Sequence, residues 1–463
     1  GCGARSVASM ASEKPDREYT LLRMTDHDSS TSDDFLRIFH GQAFGNFIFL
    51  NILGYTLFKD SIQLIADVCQ TIIVLATLMA FYVERAFFTR NRIFQLLCLA
   101  LVVQCLSWVA SRQFVPEYAL KYPSVKSMAY LFFFLGLAYW LKGNPRRIVI
   151  TLLTFCLGVI FTFAYHSSFF SIVETGLDGA RVDFNYRNAQ HGSLIAGACF
   201  LFFVLLLLTS KFRKLSLGNA GILLGILLFG VFSVILQSRQ SWLAISASLA
   251  ILPLLGGGEH WPRRKVVLTY AILLMTMLAL YQVSFIRERL LAGFVHQGDV
   301  HAILTGNWNE VRDFSIGVRL KTWLEAIQWF LAHPFFGTGY GSQSLVITLS
   351  KTLPDYITRE FRHLHNSNME TLVCWGVAGF LVLYGTLFSV LRQVLCCPVS
   401  SRFIKMLAIS FILYWLIINN FESFFYMRSG QWVFSVFMGA IYSAALHWEL
   451  NRLGKEGHEN LRH

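Results

Sequence analysis

Leu201-Phe202-Phe203-Val204-Leu205-Leu206-Leu207-Leu208 closes an apolar run that extends from His191 to Thr209 without one Asp, Glu, Lys or Arg. At about 1.5 Å of rise per residue, a helix over such a run reaches across the ~30 Å hydrocarbon core of a bilayer. Similar segments flank it at 43–58, 62–83, 93–110, 125–141, 148–165, 219–236, 241–255, 266–283, 368–391, 403–419 and 431–448, with 43–58 and 241–255 the short ones. A soluble core accommodates one or two helices of this kind, not a dozen. The composition agrees, with 55% hydrophobic and 14% charged residues in 463. The expected fold is therefore an all-α polytopic membrane protein with about twelve transmembrane helices.

Basic residues set the orientation. Alternate connections carry Arg85/Arg90/Arg92, Lys142/Arg146/Arg147, Lys211/Arg213/Lys214, Arg263/Arg264/Lys265 and Arg392/Arg402/Lys405, whereas the intervening short ones hold only Lys59 or Arg112 and Lys121. The positive-inside rule makes the clustered set cytoplasmic, together with both termini. The net charge of +12 is thus mainly a topology signal, and its dispersal over short loops argues against nucleic-acid binding. The expected organisation is a cytoplasmic, mostly disordered tail over 1–42, nine helices over 43–283, an external loop over 284–367, three helices over 368–448, and a cytoplasmic tail over 449–463. Met10 is a candidate translational start, and no cleavable signal peptide is visible. Asp26-His27-Asp28 has the Asp-x-Asp spacing of a metal-holding transferase motif, but it sits on the tail opposite the loop and reads as chance.

The same threading leaves 166–190, Gln237-Ser238-Arg239-Gln240, 284–367 and 420–430 outside. Arginines there run against the topological charge bias: Arg181, Arg187, Arg239, Arg319, Arg359, Arg362 and Arg428. Some have partners to hand in lipid phosphates or in Glu174, Asp178, Asp183 and Glu422. Arg239 is different, because a charge in a four-residue link between two apolar helices is costly unless used. The long loop contains no cysteine, so packing rather than disulfides must order it.

Within that loop, 285–295 has roughly helical apolar spacing and fits an interfacial helix. Leu320, Trp323, Leu324, Ile327, Phe330 and Leu331 form a clear amphipathic stripe that stops at His333-Pro334. Arg319 is expected in the first turn of this helix, where free N–H groups and the dipole already favour an anion and a guanidinium adds a bidentate phosphate fork. Gly337-Thr338-Gly339-Tyr340-Gly341 follows a helix instead of preceding one, which excludes a dinucleotide cradle and suggests a flexible turn. His363-Leu364-His365-Asn366 leads into the next apolar helix, with Arg362 alongside. An imidazole there can take a proton from a hydroxyl nucleophile. Beside phosphate-binding arginines, this chemistry points to transfer of a group from a phosphate leaving group to an alcohol. No zinc-type His/Cys motif, Walker loop, external acidic pair or serine-nucleophile motif accompanies it.

Taken together, Gly317-Val318-Arg319-Leu320-Lys321-Thr322-Trp323, His333-Pro334-Phe335-Phe336-Gly337-Thr338-Gly339 and His363-Leu364-His365-Asn366 resemble the signature of bacterial O-antigen ligases and their relatives, the O-antigen polymerases and pilin oligosaccharyltransferases. Ser238-Arg239-Gln240-Ser241-Trp242-Leu243 is similar to the family's external Ser-Arg link, and 181–196 to its earlier arginine-bearing segment, whose functional arginine is Arg181 or Arg187.

The resemblance implies a GT-C-like, metal-independent glycosyltransferase, without cofactor, in the Gram-negative inner membrane with its active site facing the periplasm. The donor would be a glycan on undecaprenyl diphosphate, and the acceptor a sugar hydroxyl of lipid A–core. Arg239 and Arg319, with Arg181 or Arg187, would hold the diphosphate. His365 would be the general base of an inverting displacement, with Asn366, His363 and Arg362 in support. The alternatives are an O-antigen polymerase or a protein O-oligosaccharyltransferase using the same donor. A transporter is the contrasting class, but it should show internal repeats and mid-helix charges, and Asp67 is the main such charge.

Overall fold

The computed structural model describes residues 36–186, 188–209, 216–255, 263–291, 297–307, 310–311 and 315–459. Every regular element among them is helical, with no strand. Seven helices are long and apolar enough to cross a bilayer: Gln63–Val83, Arg92–Phe114, Pro145–His166, Ala189–Thr209, Leu217–Ile235, Ser367–Cys396 and Arg428–Leu453. An eighth is reached if Val266–Tyr281 and Ser284–Leu291, bent by 94° at their junction, count as one span.

Of the twelve expected spans, the described residues thus show seven or eight of full length. The remaining apolar segments form shorter or interrupted helices. Gln42–Phe58 and Arg402–Ile418 have 17 residues each, and Arg239–Ala250 only 12. The 125–141 segment is interrupted by a 3-10 turn at Tyr130–Phe132. The tail also yields to structure earlier than expected, since residues 36–40 are helical and Phe39 is buried against Phe44 and Trp140. Asp26-His27-Asp28 lies outside the described residues.

One extended apolar core runs through the bundle, and a second, smaller core forms in the 284–367 region. Val318, Ala326, Val346, Ile347, Leu353, Ile357, Leu364 and Val373 make up this second core, with Trp323 and Trp329 packed against it. It seats the Ser315–Ala332 helix on Ser367–Cys396 through Val318 and Ala326. The expected stripe is not the buried face, since only Trp323 of it packs against this core and Ile327 and Leu331 are exposed. At about 1.5–3 kcal/mol for each fully buried Val, Leu or Ile, this packing alone can order a disulfide-free loop.

The glycine string is the anchor of that seat rather than a flexible turn. Ser367–Cys396 is broken at Gly376, whose φ is 63° and ψ −162°. The chain from Pro334 to Gly339 fills the break: Thr338 and Gly339 N–H donate to Val373 and Cys374 carbonyls at 3.1 and 2.9 Å, and Val377 and Ala378 N–H donate to Pro334 and Phe335 carbonyls at 2.8 and 3.1 Å. Backbone groups orphaned by the break are thus satisfied by the inserted strand of chain. Only glycines allow so close an approach, since a Cβ on Gly337 would stand 2.5 Å from the Val373 oxygen and one on Gly376 2.4 Å from the Phe335 oxygen. This clamp fixes the far end of the helix that carries Arg319.

Candidate functional site

Several helix ends meet on one side of the bundle. The Leu217–Ile235 helix ends in the link at Gln237-Ser238, the Arg239–Ala250 helix begins directly after it, and Ala189–Thr209 begins beside it. Gln237 adopts a left-handed φ of 47°, which turns the chain sharply enough for Arg239 to open the next helix. The 179–182 segment is pinned to this link by Gln237 Nε2 donating to the Gly179 carbonyl at 2.8 Å and Val182 N–H to Ile235 O at 3.4 Å. The Ser284–Leu291 helix, folded back at 94°, brings Arg289 to the same place, where its Nε donates to Gln237 O at 3.3 Å.

The result is a cleft of about 360 Å³ whose walls include Arg181, Arg239, Arg289 and Arg319, with Gln190, Ser238 and Gln240 between them and no acidic residue among the described lining residues. The four guanidiniums disfavour one another. Arg239 is pushed below its ordinary value by burial and then by Arg289. Arg181, the most exposed of the four, is pushed down by partial burial and by Arg289 and Arg239, against a smaller opposing pull from Asp183. Arg319 is lowered by burial, supported by Glu422 and opposed by Arg239. Four polar atoms around the link are buried without a hydrogen-bond partner among the described residues: Arg239 Nη1, Ser238 Oγ, Gln240 Nε2 and Gln190 Oε1. Buried polar groups are ordinarily satisfied, and the orphaned donors Arg239 Nη1 and Gln240 Nε2 beside clustered guanidiniums could be met by an anionic, hydrogen-bonding ligand.

Arg319 reaches this cleft by a different argument from the one its sequence suggested. The helix starts at Ser315, a turn earlier than the apolar stripe, so Arg319 lies beyond the free N–H groups of the first turn. Its anion-binding capacity rests on its own charge and fork. Of the two candidate arginines in the earlier segment, Arg181 lines the cleft, and Arg187 lies outside the described residues.

His365 is not part of the cleft wall but stands next to it in a second arrangement. Its backbone is left-handed, φ 50°, a conformation that costs a non-glycine residue about 1–3 kcal/mol and persists only when its surroundings enforce it. The neighbours do so. Leu364 N–H donates to Glu370 Oε1 at 2.9 Å, Trp323 Nε1 donates to the Leu364 carbonyl at 2.7 Å, and Asn366 caps the Ser367–Cys396 helix by accepting from Asn368 and Met369 N–H. His365 Nδ1 lies 2.8 Å from Glu422 Oε1. Burial would push the Glu422 carboxyl up, but His365, the Ser423 N–H and Arg319 outweigh it and hold it below the ordinary range. An ionised carboxylate only accepts, so Nδ1 must be the donor, and in the neutral imidazole the lone pair is then on Nε2.

The supporting residues divide. Asn366 is a buried helix cap. His363 faces a different acid, with Nδ1 3.7 Å from Glu370 Oε1. Arg362 is exposed and folds back on its own chain, donating to the Thr358 and Phe361 carbonyls, so it does not join the cleft. Two residues went unrecognised in the sequence. Arg289 was read only as part of an interfacial helix, and its sequence signal is an external arginine on that helix. Glu422 was read as a counter-ion for a stray arginine, and nothing local distinguishes it.

Helical spans, a cationic cleft at one end of the bundle and a His–Glu pair beside it define a polytopic membrane protein built to receive an anionic substrate group. Residues 224–384 match the family model described as O-antigen ligase, so the resemblance carried by the motifs is borne out. The match takes in Arg239, Arg289, Arg319 and His365, begins after Arg181 and ends before Glu422. No curated protein matches the chain.

Proposed function

We propose that this protein transfers a glycan from undecaprenyl diphosphate to a sugar hydroxyl of lipid A–core, on the periplasmic face of a Gram-negative inner membrane and without a metal ion. The observation that carries this reading is the convergence of four arginines on one cleft, with no acid in its lining and no hydrogen-bond partner for Arg239 Nη1 among the described residues. Diphosphate leaves well when its growing charge meets preorganised cations, and guanidinium forks supply these bidentately. The acceptor oxygen attacks the anomeric carbon as the bond to the diphosphate oxygen breaks. The diphosphate departs with that electron pair, and the hydroxyl proton passes to Nε2 of His365. A single displacement of this kind inverts the anomeric centre.

The donor side of this scheme is shared by O-antigen polymerases and protein O-oligosaccharyltransferases, which form the second reading; the acceptor alone separates them. A transporter is disfavoured, because Asp67, the main charge expected within a span, lies near the start of Gln63–Val83 and pairs there with Lys59 at 3.1 Å.

The test is transfer by purified protein given a polyprenyl-diphosphate glycan and lipid A–core, glycan or peptide acceptors in excess chelator. The expected product is the inverted glycoside of lipid A–core. Transfer that stops on chelation and returns with magnesium or manganese overturns the metal-free scheme, and absence of transfer to every acceptor overturns the enzyme reading.

A further inference from the structure

We infer that Glu422 is the positioning residue for His365, holding the imidazole with Nδ1–H toward the carboxylate so that Nε2 is the nitrogen presented to the acceptor hydroxyl. The inference rests on His365 acting as the base. Glu422 lies 38 residues beyond the end of the family match (422 minus 384) and 57 residues from His365 in sequence.

The carboxylate is poorly suited to a purely structural task. Its side chain is 1% exposed, and one oxygen does all the pairing: Oε1 accepts from His365 Nδ1 at 2.8 Å and from Ser423 N–H at 3.2 Å. Oε2 is buried without a hydrogen-bond partner among the described residues. A buried carboxylate with one oxygen unsatisfied costs stability relative to a neutral isostere, so its retention there needs a reason beyond packing. Meanwhile the backbones of both partners are locked in register. Ser367 N–H donates to the Asn419 carbonyl at 2.9 Å and to the Glu422 carbonyl at 3.3 Å, and Ser367 Oγ donates to Asn419 Oδ1 at 2.6 Å. The turn that bears Glu422 is thereby stapled to the helix start that follows His365. Phe421, the preceding residue, lines the arginine cleft, and Arg319 feels the Glu422 charge. One carboxylate thus orients the base from a turn that borders the donor cleft.

During transfer, the acceptor proton binds Nε2 and the imidazole becomes imidazolium. Nδ1–H stays directed at Glu422, whose negative charge stabilises that cation without taking the proton. Loss of the carboxylate should therefore damage turnover and spare donor binding.

The experiment compares wild type, Glu422→Gln, Glu422→Asp, His365→Ala and the Glu422→Gln/His365→Ala double variant, measuring donor affinity with polyprenyl diphosphate and single-turnover transfer on the same preparations. Glu422→Gln should lower transfer by about 10²-fold or more while donor Kd moves less than about threefold. Glu422→Asp should recover part of the loss, and the double variant should be no slower than His365→Ala, because residues acting as a unit are not additive. Near-wild-type turnover of Glu422→Gln beside an inactive His365→Ala overturns the role of Glu422 and leaves the base in place. Losses that multiply in the double variant also overturn it. Near-wild-type turnover of His365→Ala instead brings down the underlying base assignment. If Glu422→Gln fails to accumulate, Glu422→Asp decides: a fall in kcat with an unchanged donor KM supports positioning, and equal falls in folded yield and donor binding refute it.

Discussion

Replacing Arg239 by Ala should have opposite consequences for the empty and the occupied protein. Without ligand, Arg239 is half-buried, presses on Arg319 and Arg181, and leaves Nη1 without a hydrogen-bond partner among the described residues. Its removal relieves like-charge repulsion and an unsatisfied donor, so the unliganded variant should melt no lower than wild type in detergent. In the occupied cleft, the same side chain supplies charge-assisted hydrogen bonds worth about 1.5–3 kcal/mol. That corresponds to a roughly 10- to 150-fold loss of affinity for a polyprenyl diphosphate. At a ligand concentration near 100 times the wild-type Kd, ligand-induced stabilisation of about 2.7 kcal/mol should drop to roughly 0.9 for a 30-fold weaker variant. Arg239→Lys should recover only part, because a point charge cannot reproduce the planar fork. Melting with and without polyprenyl diphosphate reads both effects at once. A variant that melts lower when empty yet gains the full ligand-induced shift would refute the cleft as the diphosphate site and make Arg239 a structural residue.

The clamp can be tested by Gly376→Ala, whose methyl would stand 2.4 Å from a backbone oxygen at a positive φ; a loss on the order of 2–4 kcal/mol is expected, read as a lower melting temperature, and an unchanged melt would show that the break tolerates a side chain. His365→Ala should keep donor affinity and lose about 10²- to 10⁴-fold in transfer, whereas His363→Ala, directed at Glu370 instead, should be better tolerated; equal losses in both variants would indicate a shared structural role. Single cysteines introduced at exposed positions of the loop, such as Lys351 or Glu360, should react with an impermeant thiol reagent added from the periplasmic side, and labelling only after the inner membrane is opened would reverse the orientation.

Much of this protein was legible in one dimension because the relevant physics is local. Apolar runs located the helices of the bundle, since a bilayer leaves a buried backbone no other partner than itself. The stripe from Leu320 to Leu331 anticipated a helix but not its buried face, which Val318 and Ala326 supply, and the cost of a charge between two apolar helices singled out Arg239. The helix-start position of Arg319 was misjudged because apolar spacing does not mark the cap.

What remained hidden depends on groups far apart in the chain. No local pattern says that Arg181, Arg239, Arg289 and Arg319 share one cleft, because their approach is set by how the 179–182 segment, the 237–240 link and a helix folded back by 94° pack on one another. The glycine string gained its meaning only from the break at Gly376, and Glu422 only from the imidazole 57 residues before it. Hydrophobic periodicity along the chain therefore determined where this protein becomes helical and which loop carries its chemistry. Tertiary structure decided which polar groups meet, since buried charges and orphaned backbone groups find their partners through space, and only packing brings those partners within hydrogen-bond reach.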